Sequence, residues 1–117
     1  MIAVSAASKV YLFAEATDMR KGFTGLSALV MHELGHDLVQ GDVFVFMSRR
    51  RTTVKVLVWD GTGLAILQKR LAKGRFVPLW GRVEGGAVRL SQRELAELLN
   101  GDDVQLTLGR RRPRARQ

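Results

Sequence analysis

The stretch that decides the fold is Asp42-Val43-Phe44-Val45-Phe46-Met47-Ser48, Arg49-Arg50-Arg51-Thr52, Thr53-Val54-Lys55-Val56-Leu57-Val58-Trp59, Asp60-Gly61-Thr62-Gly63. Two runs of β-branched and aromatic residues, one closed by a polar quartet and the next by an Asp-Gly turn, read as consecutive antiparallel strands of a meander. If both connections hold four residues, Val45 faces Val56 and Phe46 faces Lys55. One sheet face then carries Val43, Val45, Met47, Val54, Val56 and Val58, and the other Phe44, Phe46, Leu57 and Trp59 with Lys55 among them. Both faces are apolar, so both require cover, from a helix upstream and from segments downstream.

Working outward, Lys9 to Ala14 reads as a short strand, and Thr17 and Asp18 offer N-cap oxygens for a helix running to about Leu34. Phe23, Leu26, Val30 and Leu34 share one face at helical spacing, Leu29 widens that stripe, and Gly35 is a natural stop. Downstream, Leu64 to Lys73 suits either a helix ending at Gly74 or a strand returning from the turn, with the strand preferred. As a strand it places Ala65, Leu67 and Leu71 on the Val face and Ile66 on the Phe face. Phe76 to Trp80 reads as an extended edge because of Pro78. Ser91 with Glu94 forms a capping-box pattern that starts a short amphipathic helix to Leu99, and Val104 to Leu108 reads as a closing strand. The expected fold is α+β: an antiparallel meander packed against one main helix, with a short second helix. It forms a single domain over residues 1–108, followed by a flexible arginine-rich tail over 109–117.

At 117 residues and 46% hydrophobic content the chain fits one packed domain. The absence of cysteine excludes disulfides, thiolate metal sites and cysteine nucleophiles. No apolar run approaches the roughly 18 residues of a membrane span, and the first residues lack a signal-peptide pattern, so a cytoplasmic protein with no membrane partner is expected. Nineteen Lys and Arg against eleven Asp and Glu give a net charge of +8. The excess is local: Met47 to Arg82 holds nine bases and a single acid, Asp60, while Arg110, Arg111, Arg112, Arg114 and Arg116 crowd the last nine residues. Clustered cations of this kind attract polyanions, of which nucleic acid is the foremost in a cytosol.

Several motifs compete for a role. Arg49-Arg50-Arg51 projects guanidinium forks, suited to phosphate oxygens, from a hairpin tip. Lys55 lies on the following strand, and Lys69, Arg70, Lys73 and Arg75 along the next connection, while Arg20 and Lys21 form a second patch where the first helix is expected to open. The bland alternative is charge that protects strand edges. His32-Glu33-Leu34-Gly35-His36 matches H-E-x-x-H, in which two histidines one helical turn apart bind Zn²⁺. Against a zinc hydrolase stand the lack of a third histidine and the helix-ending Gly35, so the competing reading is two exposed histidines at a helix end. Trp59 is expected in the core, and Trp80 is a candidate for stacking or an interface.

Three separated stretches carry a family resemblance: Thr17-Asp18-Met19-Arg20-Lys21-Gly22-Phe23 with Gly25-Leu26; Phe44-Val45-Phe46 with Arg49-Arg50-Arg51 and Lys55-Val56-Leu57-Val58-Trp59-Asp60-Gly61-Thr62-Gly63; and Lys69-Arg70-Leu71 with Gly74-Arg75-Phe76. In this order and spacing the chain resembles the TnpB-type accessory protein, the second open reading frame of the insertion-sequence-sixty-six transposon family. The resemblance covers about residues 9–80, with Leu64 to Gln68 less aromatic than the family tends to be. It implies a non-catalytic accessory of transposition, acting with the transposase of the same element and with DNA, with no cofactor and no metal. A protein–protein adaptor that never touches DNA is the competing function, and self-association stays open.

Overall fold

The structure is a computed structural model that describes residues 5–77 and 83–101. Among the described residues six strands form one sheet in the order β4-β3-β2-β1-β6-β5. The strands are β1 (Val10–Phe13), β2 (Val43–Met47), β3 (Thr53–Trp59), β4 (Leu64–Arg70), β5 (Val83–Glu84) and β6 (Ala87–Leu90). Helix α1 (Phe23–Leu29) continues into a π-helical turn (Val30–Leu34), and α2 (Gln92–Asn100) follows β6.

The meander forms in the expected register, with Val45 opposite Val56 and Phe46 opposite Lys55. Leu64 to Arg70 is a strand that pairs antiparallel along all of β3. Period-two alternation therefore sorts the apolar residues into two cores, one on each face. Val10, Leu12, Val43, Val45, Val54, Val56 and Val58 pack with Phe76, Leu98 and the flanking Leu71, Leu95 and Leu99. On the other side Tyr11, Phe13, Phe44, Phe46 and Leu57 pack beneath Leu26 and Val30. α1 and its π turn thus cover the Phe face, while α2 and the segment through Phe76 cover the Val face.

Four expectations are corrected. The sheet is mixed, because β1 pairs parallel with β2 and antiparallel with β6. A strand that leads through a helix to its neighbour comes back running in the same direction, which is the βαβ arrangement. The helix starts at Phe23, with Gly22 before it and no side-chain cap. Asp18 instead accepts the Arg20 N–H at 2.9 Å, and Thr17 donates its N–H to the Met47 carbonyl, so the segment before Phe23 is a loop tied to the sheet. That later start leaves Phe23 52% exposed, outside the buried stripe of Leu26 and Val30. On β4, Ala65 and Ile66 pack on the expected faces, but Leu67 is 45% exposed.

Phe76 is fully buried outside any strand, and the remainder of the extended edge expected over Phe76 to Trp80 falls largely on residues 78–82, outside the described residues. So do the closing strand at Val104 to Leu108 and the arginine tail. The β5–β6 hairpin, turning through Gly85 at φ 66°, was not anticipated. α2 begins at Ser91 with both halves of the capping box: the Ser91 hydroxyl accepts the Glu94 N–H at 3.0 Å, and the Glu94 carboxylate accepts the Ser91 N–H at 2.7 Å.

Candidate nucleic-acid interface

One end of the sheet gathers cations that are far apart in the chain. The β2–β3 turn is organised by Ser48, whose N–H donates to the Thr53 carbonyl and whose carbonyl accepts the Arg51 N–H, both at 2.9 Å. The Ser48 hydroxyl accepts the N–H groups of Thr52 and Thr53 at 3.2 and 3.1 Å. This closure leaves Arg49 and Arg50 exposed and holds Arg51 at φ 61°, a left-handed conformation that glycine adopts at far lower cost.

Beside the turn, Arg70 ends β4 opposite Thr53, and the chain then runs through exposed Lys73 and Arg75. Two backbone bonds staple this loop to the turn, from Leu71 N–H to the Thr52 carbonyl at 2.9 Å and from Phe76 N–H to the Arg51 carbonyl at 2.6 Å. Phe76 anchors the loop in the Val-face core. On the other flank, the loop before α1 is held by the bond from Thr17 to Met47 and presents Arg20 and Lys21. Among the described residues, Arg49, Arg50, Arg51, Arg70, Lys73 and Arg75 form no ion pair. Arg20 differs. Its guanidinium binds Asp18 at 2.8 to 3.1 Å; that hydrogen bonding holds the Asp18 carboxyl well below the usual carboxylate range and raises Arg20 in turn. Arg20 therefore carries a compensated charge to this end.

Two expected contacts serve the fold instead. Lys55 is only 8% exposed and donates from Nζ to the Lys21 carbonyl at 2.7 Å, tying the loop before α1 to the sheet. Lys69 donates to the Leu99 carbonyl at the C-terminal end of α2, where a cation complements the helix dipole. The alternation of β3 and β4 turns both side chains onto the covered faces. Lys55→Ala is expected to destabilise the fold by about 1–3 kcal/mol in urea titration, since the bond and its packing are lost. The arginines of the tail, Arg110 to Arg116, lie outside the described residues.

A shallow cleft of about 230 Å³ opens between the β2–β3 turn and the loop after β1, lined by Phe13, Glu15, Met47, Arg49 and Arg51 among others. Sequence reasoning missed it, because it exists only when β1 lies parallel beside β2. The zinc-type pattern falls apart at Gly35, which takes φ 67° and ends the helical turn. His32 is exposed, whereas His36 leaves the helix and packs its ring 4.5 Å from that of Tyr11, so it is not the exposed residue expected. The two histidines share no helical face. Among the described residues no group of three or more His, Asp or Glu side chains could hold a metal ion. Trp59 is half-buried at the end of β3, and Trp80 lies outside the described residues.

The family model described as "IS66 Orf2 like protein" matches residues 8–108. The chain belongs to the IS66 Orf2 family. Two relatives come from Sinorhizobium fredii: the uncharacterized protein y4hO, 40% identical over 81% of each chain, and the uncharacterized protein y4jC, 34% identical over 88% of this chain and 86% of its own. No solved structure matches. IS66 Orf2 proteins are transposition-associated accessory proteins and not known enzymes. Among the described residues of this member, no helix is long and apolar enough to cross a membrane.

Proposed function

We propose that this IS66 Orf2 protein assists transposition without catalysing it, by binding DNA phosphates, alone or within the transposase–DNA complex, through the basic end of its sheet. The observation that carries this reading is the convergence of Arg49, Arg50, Arg51, Arg70, Lys73 and Arg75 on one end, without an ion-pair partner among the described residues. Lys21 and the salt-bridged Arg20 flank them. Cations that merely protected edges would be spread along β4 and β5, the outer strands of this sheet. Here most of them stand on turns, where a backbone phosphate can be met by several guanidinium groups at once. The arginine tail adds a second, separate supply of charge.

The test is a salt-titrated binding assay on the full chain. Log K is expected to fall by about 0.9 per log salt for each phosphate neutralised, and deleting residues 110–117 is expected to make the slope shallower. A slope near zero, or no binding at low salt, overturns the reading.

The adaptor reading is favoured by a different observation. Phe23 and Met31 stand 52% and 54% exposed on the outer side of α1 and its π turn, and with Ser27, Ala28 and Leu64 they line an open groove of about 400 Å³. The Phe-rich sheet face cannot serve this purpose, because Phe44 and Phe46 are fully buried beneath α1. Co-purification with transposase at high salt, without any binding of DNA, is the outcome expected of an adaptor.

A further inference from the structure

We infer that the basic end grips the backbone of duplex DNA and does not read bases, so that this protein binds duplexes without sequence preference; the inference rests on the DNA-binding function proposed above. Three observations lead to it. The first is shape. A two-stranded ribbon reads the major groove by entering it, but β2 and β3 are flanked by β1 and β4 in the sheet. Those four strands span about 14 Å between their outer axes at the usual strand spacing, before side chains are added, against a major groove about 12 Å wide. A body of that width cannot enter the groove as a two-stranded ribbon does.

The second is chemistry. Adenine is read by Asn or Gln and cytosine by Asp or Glu, whereas Arg and Lys read guanine. The segments that make up this end, residues 14–22, 48–53 and 70–77, contain no Asn and no Gln. Asp18 is occupied by Arg20, Ser48 by its own turn, Thr17 and Thr53 are buried and Thr52 is half-buried; Glu15 is exposed, but it lines the cleft together with Arg49 and Arg51. Apart from Glu15, the charged groups that remain exposed there are cations, which suit phosphate oxygens and at a base edge address guanine alone.

The third separates duplex from single strand. Proteins that hold single strands stack bases on exposed aromatic rings. Among the described residues of this end the aromatic rings are Phe13, Phe46 and Phe76, at 9%, 0% and 1% exposure. Among the described residues of this end no exposed ring is offered for stacking.

The experiment measures anisotropy with the full chain over a range of salt, using three labelled probes of one length. They are a duplex carrying a terminal repeat of an element of this family, a shuffled duplex of the same base composition, and one strand of the shuffled duplex. The expected result is that the two duplexes bind within about tenfold of each other with parallel salt slopes, and that the single strand binds no tighter than either; sequence-specific proteins separate such probes by about 10³-fold or more. A preference for the terminal repeat above tenfold, or a single strand bound more than tenfold tighter than duplex, overturns the inference and leaves DNA binding standing. Failure to bind any of the three overturns both.

Discussion

Replacing Arg49 and Arg50 by alanine and Arg51 by glycine, all in one chain, is expected to make the salt dependence of DNA binding shallower by about 2.7 in log K per log salt, at about 0.9 for each phosphate contact removed. The choice of glycine at position 51 is deliberate. Arg51 sits at φ 61°, where an L side chain costs about 1–2 kcal/mol, so Arg51→Gly relieves strain while removing charge. The turn itself is closed by Ser48 and by the Arg51 main chain, none of which the substitutions delete. Thermal stability is therefore expected to stay level or rise as affinity falls. A turn built only for folding would leave the salt slope and the affinity unchanged.

Phe44→Ala is expected to destabilise the fold by about 3–5 kcal/mol, the usual range for deleting a buried ring. Phe44 is fully buried on β2, stacked 5.7 Å from the ring of Tyr11 and edge-on to that of His36 at 5.9 Å. Its cavity would lie between the sheet and the cover formed by α1 and its π turn, two layers held apart by their own packing and so unable to collapse fully. For a domain of this size the melting temperature should fall by about 10–30 °C. Phe23→Ala is the informative partner measurement. Phe23 is half-exposed, so its loss should change stability by no more than about 0.5 kcal/mol. A comparable loss in both variants would contradict the division into two covered faces.

Much of this architecture could be read from residue order alone, and the reason is local. Alternation across Val43–Met47 and Thr53–Trp59 leaves one register that buries both faces, and a four-residue turn at each end fixes it. Ser91 and Glu94 satisfy their own helix start without help from elsewhere. What escaped was settled at long range. The parallel pairing of β1 with β2 depends on the path of the intervening helix, although strand-helix-strand order was a usable signal for it. The first helix starts late because Asp18 spends its carboxylate on Arg20 and Thr17 its N–H on Met47, contacts that a capping pattern cannot foresee. In the site, charge clustering indicated the arginines of the β2–β3 turn, yet charge alone could not separate Arg70 from its neighbour Lys69. The pleat does so, sending Arg70 to solvent and Lys69 to the Leu99 carbonyl. Lys55 was misread for the same reason, as a surface cation on a strand whose two faces are both covered.

The central claim, that one end of this sheet exists to meet DNA during transposition, is tested most directly by mobilisation. A complete element of this family would carry the gene for this chain with Arg49, Arg50, Arg70, Lys73 and Arg75 changed to alanine and Arg51 to glycine, the folded state of the product being verified by thermal melting. The account predicts that mobilisation falls to the level seen when the gene is deleted. Mobilisation at the unaltered frequency, from a product that melts like the parent chain, would contradict it.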